Sequence, residues 1–317
     1  MSFSREVKEE LSRNISTSRH CQIAEIAAIL SLCGRITISD KDQYSVKVHT
    51  ENIAVARKCF TLLKKTFNID TEISIRQNVY LKKSRTYTIV VKGHEASIDL
   101  LSAVKLLDQD GDICENMSLD NTIVMKDCCK RAYIRGAFLA TGSISNPNSS
   151  YHFEIVCATM QKAKELKGLL DRFQLDAKIV ARKKHFVVYI KEGSAIVDAL
   201  NIMEAHVALM NLENIRILKE MRNSVNRKVN CETANLNKTI KTAYKQIEDI
   251  KYIERVKGLS SLSETLEEVA LVRLDNPEAS LQELGTMLDP PVGKSGVNHR
   301  LRKISEIAQD MRQASLQ

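Results

Sequence analysis

The 317 residues are 44% hydrophobic but only 5% aromatic, with no Trp, a composition that excludes a disordered chain and points to aliphatic cores and abundant helix. The formal net charge of +8, with a pI near 9.0, favours a polyanionic partner without choosing one. No run of about 18 apolar residues occurs and residues 1–14 (MSFSREVKEELSRN) are polar, which excludes a membrane span or secretory leader and predicts a cytoplasmic protein with no membrane partner.

In chain order, residues 1–14 read as a helix, and 23–33 (IAEIAAILSLC) as an apolar helix stopping at Gly34. A second apolar helix, 132–141 (AYIRGAFLAT), stops at Gly142, 108 positions after the first glycine. A glycine at the end of such a helix predicts a left-handed cap. Behind each glycine the same order returns: GRITI or GSISN, an alternating strand (44–50 or 151–157), a helix (54–67 or 163–173), two more strands (70–76 and 86–92, or 176–182 and 185–191) and a short closing helix. The unit is αββαββα, present twice. Antiparallel hairpins interleaved with helices predict an α+β saddle with helices on one sheet face and the other face free. The halves should meet about a pseudo-twofold axis through the two Gly-terminated helices, giving one domain over residues 1–205. Such a domain contains its own pseudo-symmetry, so the chain is expected to act as a monomer.

Residues 206–258 read as a basic helical connector. Eleven basic and five acidic residues fall between Arg216 and Lys257, against six basic and nine acidic from Glu264 onward, so phosphate contact is expected first in the connector. Ile240, Tyr244, Ile247, Ile250 and Ile253 have helical spacing, and the preceding ETANLNK predicts a capped break. An all-α module follows over 259–317. Ser280 and Glu283 match a capping box, DPPVG at 289–293 ends that helix, and Lys294 and Ser295 open a basic one. Helix, tight break and basic helix are the grammar of a helix-turn-helix.

The helix IAEIAAILSLCGRI and its counterpart AYIRGAFLATGSI resemble the paired LAGLIDADG motifs of homing endonucleases. With RNSVNRKVNCETANLNKTIKTAYKQIEDI and then NPEASLQELGTMLDPPVGKSGVNHRLRKI behind them, nearly the whole chain resembles the WhiA family of bacterial regulators. In LAGLIDADG endonucleases an acid just before the helix-ending glycine holds the catalytic divalent metal. Here Cys33 and Thr141 stand in those places, and neither is a hard anionic ligand. The resemblance therefore implies a degenerate domain, no enzymatic activity and no cofactor. It also implies a nucleoid-associated regulator of cell division, chromosome segregation or sporulation genes, binding double-stranded DNA and contacting RNA polymerase or its sigma factor.

Lys294, Asn298, His299, Arg300, Arg302 and Lys303 share one helix without an intervening acid, and their side-chain types reach phosphates and base edges in the major groove. Ser295 could cap that helix or offer its amide to a phosphate. In the connector, Arg227, Lys228 and Lys238, with Arg222, Lys241 and Lys245, could follow the DNA backbone. A solvated basic face is the alternative in both places, and the rival functions are an active nuclease, which would need carboxylates near the two helix ends that the sequence does not place there, and a protein-docking adaptor. Eight Cys without a CxxC pair read as reduced, mostly buried thiols. The neighbours Cys128 and Cys129 are expected to point apart, so no metal site is predicted. His152 and His185 lie on strands without an evident carboxylate or thiol partner. Asp108, Asp110 and Asp112 lack the register of a calcium loop, with Leu119 where a closing Glu would stand.

Overall fold

A computed structural model describes residues 2–39, 43–77, 85–108, 112–114 and 118–314; Asp110 lies outside them. Contacts divide the chain into two units, Met1–Lys219 and Glu220–Gln317.

In the first unit α1 (Phe3–Arg13) precedes the repeat. The first copy is α2 (Arg19–Cys33), β1 (Gly34–Ile38), β2 (Tyr44–Thr50), α3 (Ile53–Phe67), β3 (Thr71–Gln77), β4 (Arg85–Val91) and α4 (His94–Ala103). The second is α5 (Asp127–Thr141), β5 (Gly142–Ile144), β6 (Phe153–Cys157), α6 (Met160–Asp171), β7 (Lys178–Arg182), β8 (His185–Ile190) and α7 (Gly193–Met203). The sheets, ordered β1-β2-β4-β3 and β5-β6-β8-β7, are antiparallel throughout. Alternation sorts the strands as expected: Val46 and Val48 are buried, while Lys47 and His49 lie on the opposite face of β2.

α2 and, over residues 132–139, α5 are buried on nearly every side because they sit between the two halves. Gly136 permits their close approach: a Cβ there would lie 2.5 Å from the Glu25 carbonyl oxygen and 3.0 Å from Ala28 Cβ. The closing glycines are not left-handed caps. Gly34 (φ −79°) and Gly142 (φ −76°) are extended, and the chain passes straight from helix into strand. Space demands glycine there, since a Cβ would fall 2.4 Å from the Leu30 carbonyl oxygen and 2.4 Å from Phe138 Cδ2.

A charged cluster lies in this core. Glu25 of α2 pairs with Lys58 of α3 at 2.5 Å and with Arg135 of α5 at 3.2 Å; Arg135 also reaches Glu204 at 2.7 Å. Lys58 Nζ donates to the carbonyls of Leu11 and Asn14, which ties α1 down. Burial lowers the Lys58 pKa, with Glu25 opposing that shift. A charge at this depth persists only because it is paired and hydrogen-bonded.

The division between units falls within α8 (His206–Lys257), one helix of 52 residues. No break occurs at ETANLNK. Between residues 206 and 257 there is neither Gly nor Pro, and Thr239 and Thr242 turn their hydroxyls back onto the carbonyls of Asn235 and Lys238. The helix ends at Gly258, whose φ is +78°. In the second unit Ile250 and Ile253 of α8 pack with α9 (Glu264–Asp275), α10 (Leu281–Thr286) and α11 (Lys294–Ala314) in a core containing Val269, Leu284, Leu301 and Ile304.

Candidate nucleic-acid interface

The capping box at Ser280 forms as read. Ser280 Oγ accepts from the Glu283 amide and Glu283 Oε2 from the Ser280 amide, and these bonds hold the Glu283 carboxyl below its usual range. The break behind α10 is tight. Gly285 accepts from the Val292 amide at 2.9 Å, and a Cβ on it would sit 2.0 Å from Val292 O. Helix α11 opens with the Gly293 carbonyl accepting from the amides of Gly296 and Val297. Ser295 is therefore not the cap; it lies in the first turn, where helix amides point outward.

Val297, Leu301, Ile304 and Ala308 form the buried stripe of α11. At about 100° per residue the opposite side carries Ser295, Asn298, His299 and Arg302, flanked by Lys294 and Lys303; all six are exposed. Arg300 stands apart. It is half-buried and faces α9, 3.8 Å from Glu268, whose carboxylate also accepts from the Asp289 amide. Its position is that of a strut between α9 and the turn. Arg302 pairs with Glu306 at 3.2 Å in an exposed, screened contact.

On α8, Arg227, Lys228 and Lys238 are exposed. Helical geometry puts Arg227, Lys238, Lys241 and Lys245 on one side, within roughly 60° of each other, and Lys228 away from them. The opposite side presents Met221, Val225, Val229 and Leu236, also exposed. A reading centred on the basic residues of this segment does not display the apolar side, whose residues are spread thinly among polar ones.

In the first unit Cys33 and Thr141 line one cleft of about 760 Å³. The Thr141 hydroxyl has no hydrogen-bond partner among the described residues. Among the described residues Glu51 is the sole acid in the lining, against Arg5 and Lys8. Lys8 lies 5.8 Å from the Phe138 ring centroid, and burial lowers its pKa to about 8; burial pushes the Cys33 thiol up to about 12. An amine and a protonated thiol make a poor seat for a hard dication. On the open sheet face His49 donates to or accepts from Thr88 at 3.0 Å. Its pKa is lowered by burial first and then by the charges of Arg35, Lys47 and Arg76, which marks a local positive field. On the other sheet His152 does have a carboxylate partner, Glu154, at 3.1 Å.

One further expectation is overturned. Cys128 and Cys129 do not point apart: with His20 and Cys21 their donor atoms lie within 4.8 Å of one another. Adjacent helical residues diverge by about 100°, not by the half-turn of a strand. The partners that complete the set come from a helix 108 residues earlier, a juxtaposition that spacing alone does not display.

Three family models match in sequence: the WhiA N-terminal LAGLIDADG-like domain over residues 19–107, the WhiA LAGLIDADG-like domain over 130–222 and the WhiA C-terminal HTH domain over 225–308. The probable cell division protein WhiA of Lachnoclostridium phytofermentans is 54% identical over 99% of this chain and 100% of its own. That of Alkaliphilus oremlandii is 48% identical over 100% and 99%. The crystal structure of full-length DUF199/WhiA from Thermatoga maritima superposes with a TM-score of 0.60 at 28% identity, covering 98% of this chain and 99% of that one. By the order of its duplicated LAGLIDADG-like halves, its long helix and its helix-turn-helix, as by these likenesses, the chain belongs to the WhiA family.

Proposed function

We propose that this chain is a sequence-specific, double-stranded-DNA-binding transcription regulator of cell-division genes, and of the chromosome segregation or sporulation genes that accompany them, acting at the cytoplasmic nucleoid without nuclease activity. The observation that carries this reading is the outer side of α11, where Ser295, Asn298, His299 and Arg302 stand exposed opposite the buried stripe, flanked by Lys294 and Lys303. A helix seated by such a stripe behind a tight turn enters the major groove with donors for base edges and cations for phosphates. The names of the relatives, probable cell division proteins, supply the process.

The basic side of α8 and the positive field around His49 add phosphate-neutralising surface. The donor set at Cys33, Thr141 and Lys8 supports a reading without nuclease chemistry. A second reading, docking onto RNA polymerase, its sigma factor or another protein, is favoured by the exposed apolar side of α8. Titration of full-length protein into labelled promoter duplexes with and without Mg²⁺ tests the first reading. Preference for particular duplexes and no strand cleavage support it. Equal affinity for every duplex, or Mg²⁺-dependent cleavage, contradicts it.

A further inference from the structure

Helices α2 and α5 begin at Arg19 and Asp127, the same 108 positions apart as the glycines that end them. The repeat therefore equates His20 with Cys128 and Cys21 with Cys129, and the pseudo-twofold brings the two pairs face to face at the first turns of the helices. His20 Nδ1 lies 3.2 Å from Cys129 Sγ, 3.3 Å from Cys21 Sγ and 4.0 Å from Cys128 Sγ. One imidazole nitrogen offers a single proton or a single lone pair, yet three sulfurs surround it, a concentration of soft donors that suits a metal ion. A tetrahedral zinc ion with Zn–S near 2.3 Å and Zn–N near 2.0 Å requires donor separations of roughly 3.5–3.8 Å. The four donors stand within 4.8 Å of each other, so small side-chain rotations would complete the shell.

We propose that His20, Cys21, Cys128 and Cys129 form a structural zinc site that clamps the two halves of the duplicated domain together. Three sulfurs and an imidazole select a borderline-soft ion over Mg²⁺ or Ca²⁺. Four protein ligands leave no open position, which makes the site structural rather than catalytic. Zinc with three thiolates carries one net negative charge, and the amino ends of two helices stabilise it. Cys21 and Cys129 are buried while His20 and Cys128 are exposed, so the ion can enter from solvent. The clamp lies one helix length, roughly 20 Å, from Cys33 and Thr141, at the opposite ends of the same helix pair. Binding displaces up to three thiol protons.

The test is metal analysis of the full-length chain, purified under reductant and exchanged through a chelating resin. The expected result is about one zinc per chain. Replacing it with Co²⁺ should give the intense visible bands of a tetrahedral, thiolate-rich site. Cys128→Ala, at an exposed ligand, should keep the native circular dichroism yet lose stoichiometric zinc and the cobalt bands; stripping the metal with a strong chelator should lower the melting temperature of the unsubstituted chain only. Folded, reduced protein holding less than about a tenth of an equivalent overturns the proposal. So does a weak octahedral cobalt spectrum, or a Cys128→Ala chain that retains its zinc.

Discussion

Arg135 reaches across the crossing of α2 and α5 to Glu25, Nε to Oε1 at 3.2 Å, with both side chains almost wholly buried. Because Glu25 also holds Lys58, and Arg135 also holds Glu204, one cluster fixes the register of α2, α3 and α5 and anchors α1 through Leu11 and Asn14. Arg135→Ala removes one partner and leaves the remaining charges buried. It should cost about 3–5 kcal/mol, read as a lower urea midpoint of the N-terminal transition. A midpoint within experimental error of the unsubstituted chain would contradict a structural role for the cluster.

Two helical glycines should respond in opposite directions. At Gly136 a methyl collides with the backbone of α2, whereas at Gly168 of α6 it meets nothing within 4 Å. Gly136→Ala should destabilise the chain by roughly 2 kcal/mol or more. Gly168→Ala should stabilise it by about 0.5–1 kcal/mol through helix propensity. Thermal melts of the two variants check the pair, and equal shifts would refute the packing account.

Lys8 couples stability to pH. Burial holds its folded pKa at about 8, against 10.5 for the free side chain. Between these values the folded chain has lost the proton and the unfolded chain keeps it, so unfolding takes up a proton and stability rises with pH. Lys8→Met should remove roughly 1–2 kcal/mol of that rise between pH 8 and 10.5, less than the full shift implies because the cleft is open to solvent. Parallel stability–pH curves for the two proteins would exclude Lys8 as the source.

The basic side of α8 should contribute affinity without sequence preference. Changing Arg227, Lys238 and Lys241 to Gln should weaken binding to all duplexes alike and reduce the slope of log affinity against log salt by up to about 3. Loss confined to one preferred duplex would assign these residues to base readout instead.

Much of this was legible in the sequence because its strongest signals are periodic. The alternation in YSVKVHT and FEIVC, the Ser280–Glu283 box and the paired glycines each fix a local geometry with a clear pattern. What escaped detection depends on which residues meet across the fold. Glu25 and Arg135, 110 positions apart, read as ordinary polar residues in apolar helices, and His20 with Cys21 gave no sign of meeting Cys128 and Cys129. Arg300 read as one more cation on a basic helix, but Glu268 draws it to the flank. The glycines at 34 and 142 end their helices where the pattern puts them but for a different cause, since crowding against the preceding helical turn, at Leu30 and Phe138, leaves no mark on single-chain periodicity.

The central claim, that the outer side of α11 reads DNA sequence, is tested most directly by genome-wide occupancy of the intact chain beside Asn298→Ala/Arg302→Ala. Both residues are exposed and outside the buried stripe, so the variant should fold. Discrete promoter peaks that collapse in the variant are the predicted result. Peaks of undiminished height and position in the variant, or no discrete peaks with the intact chain, would contradict it.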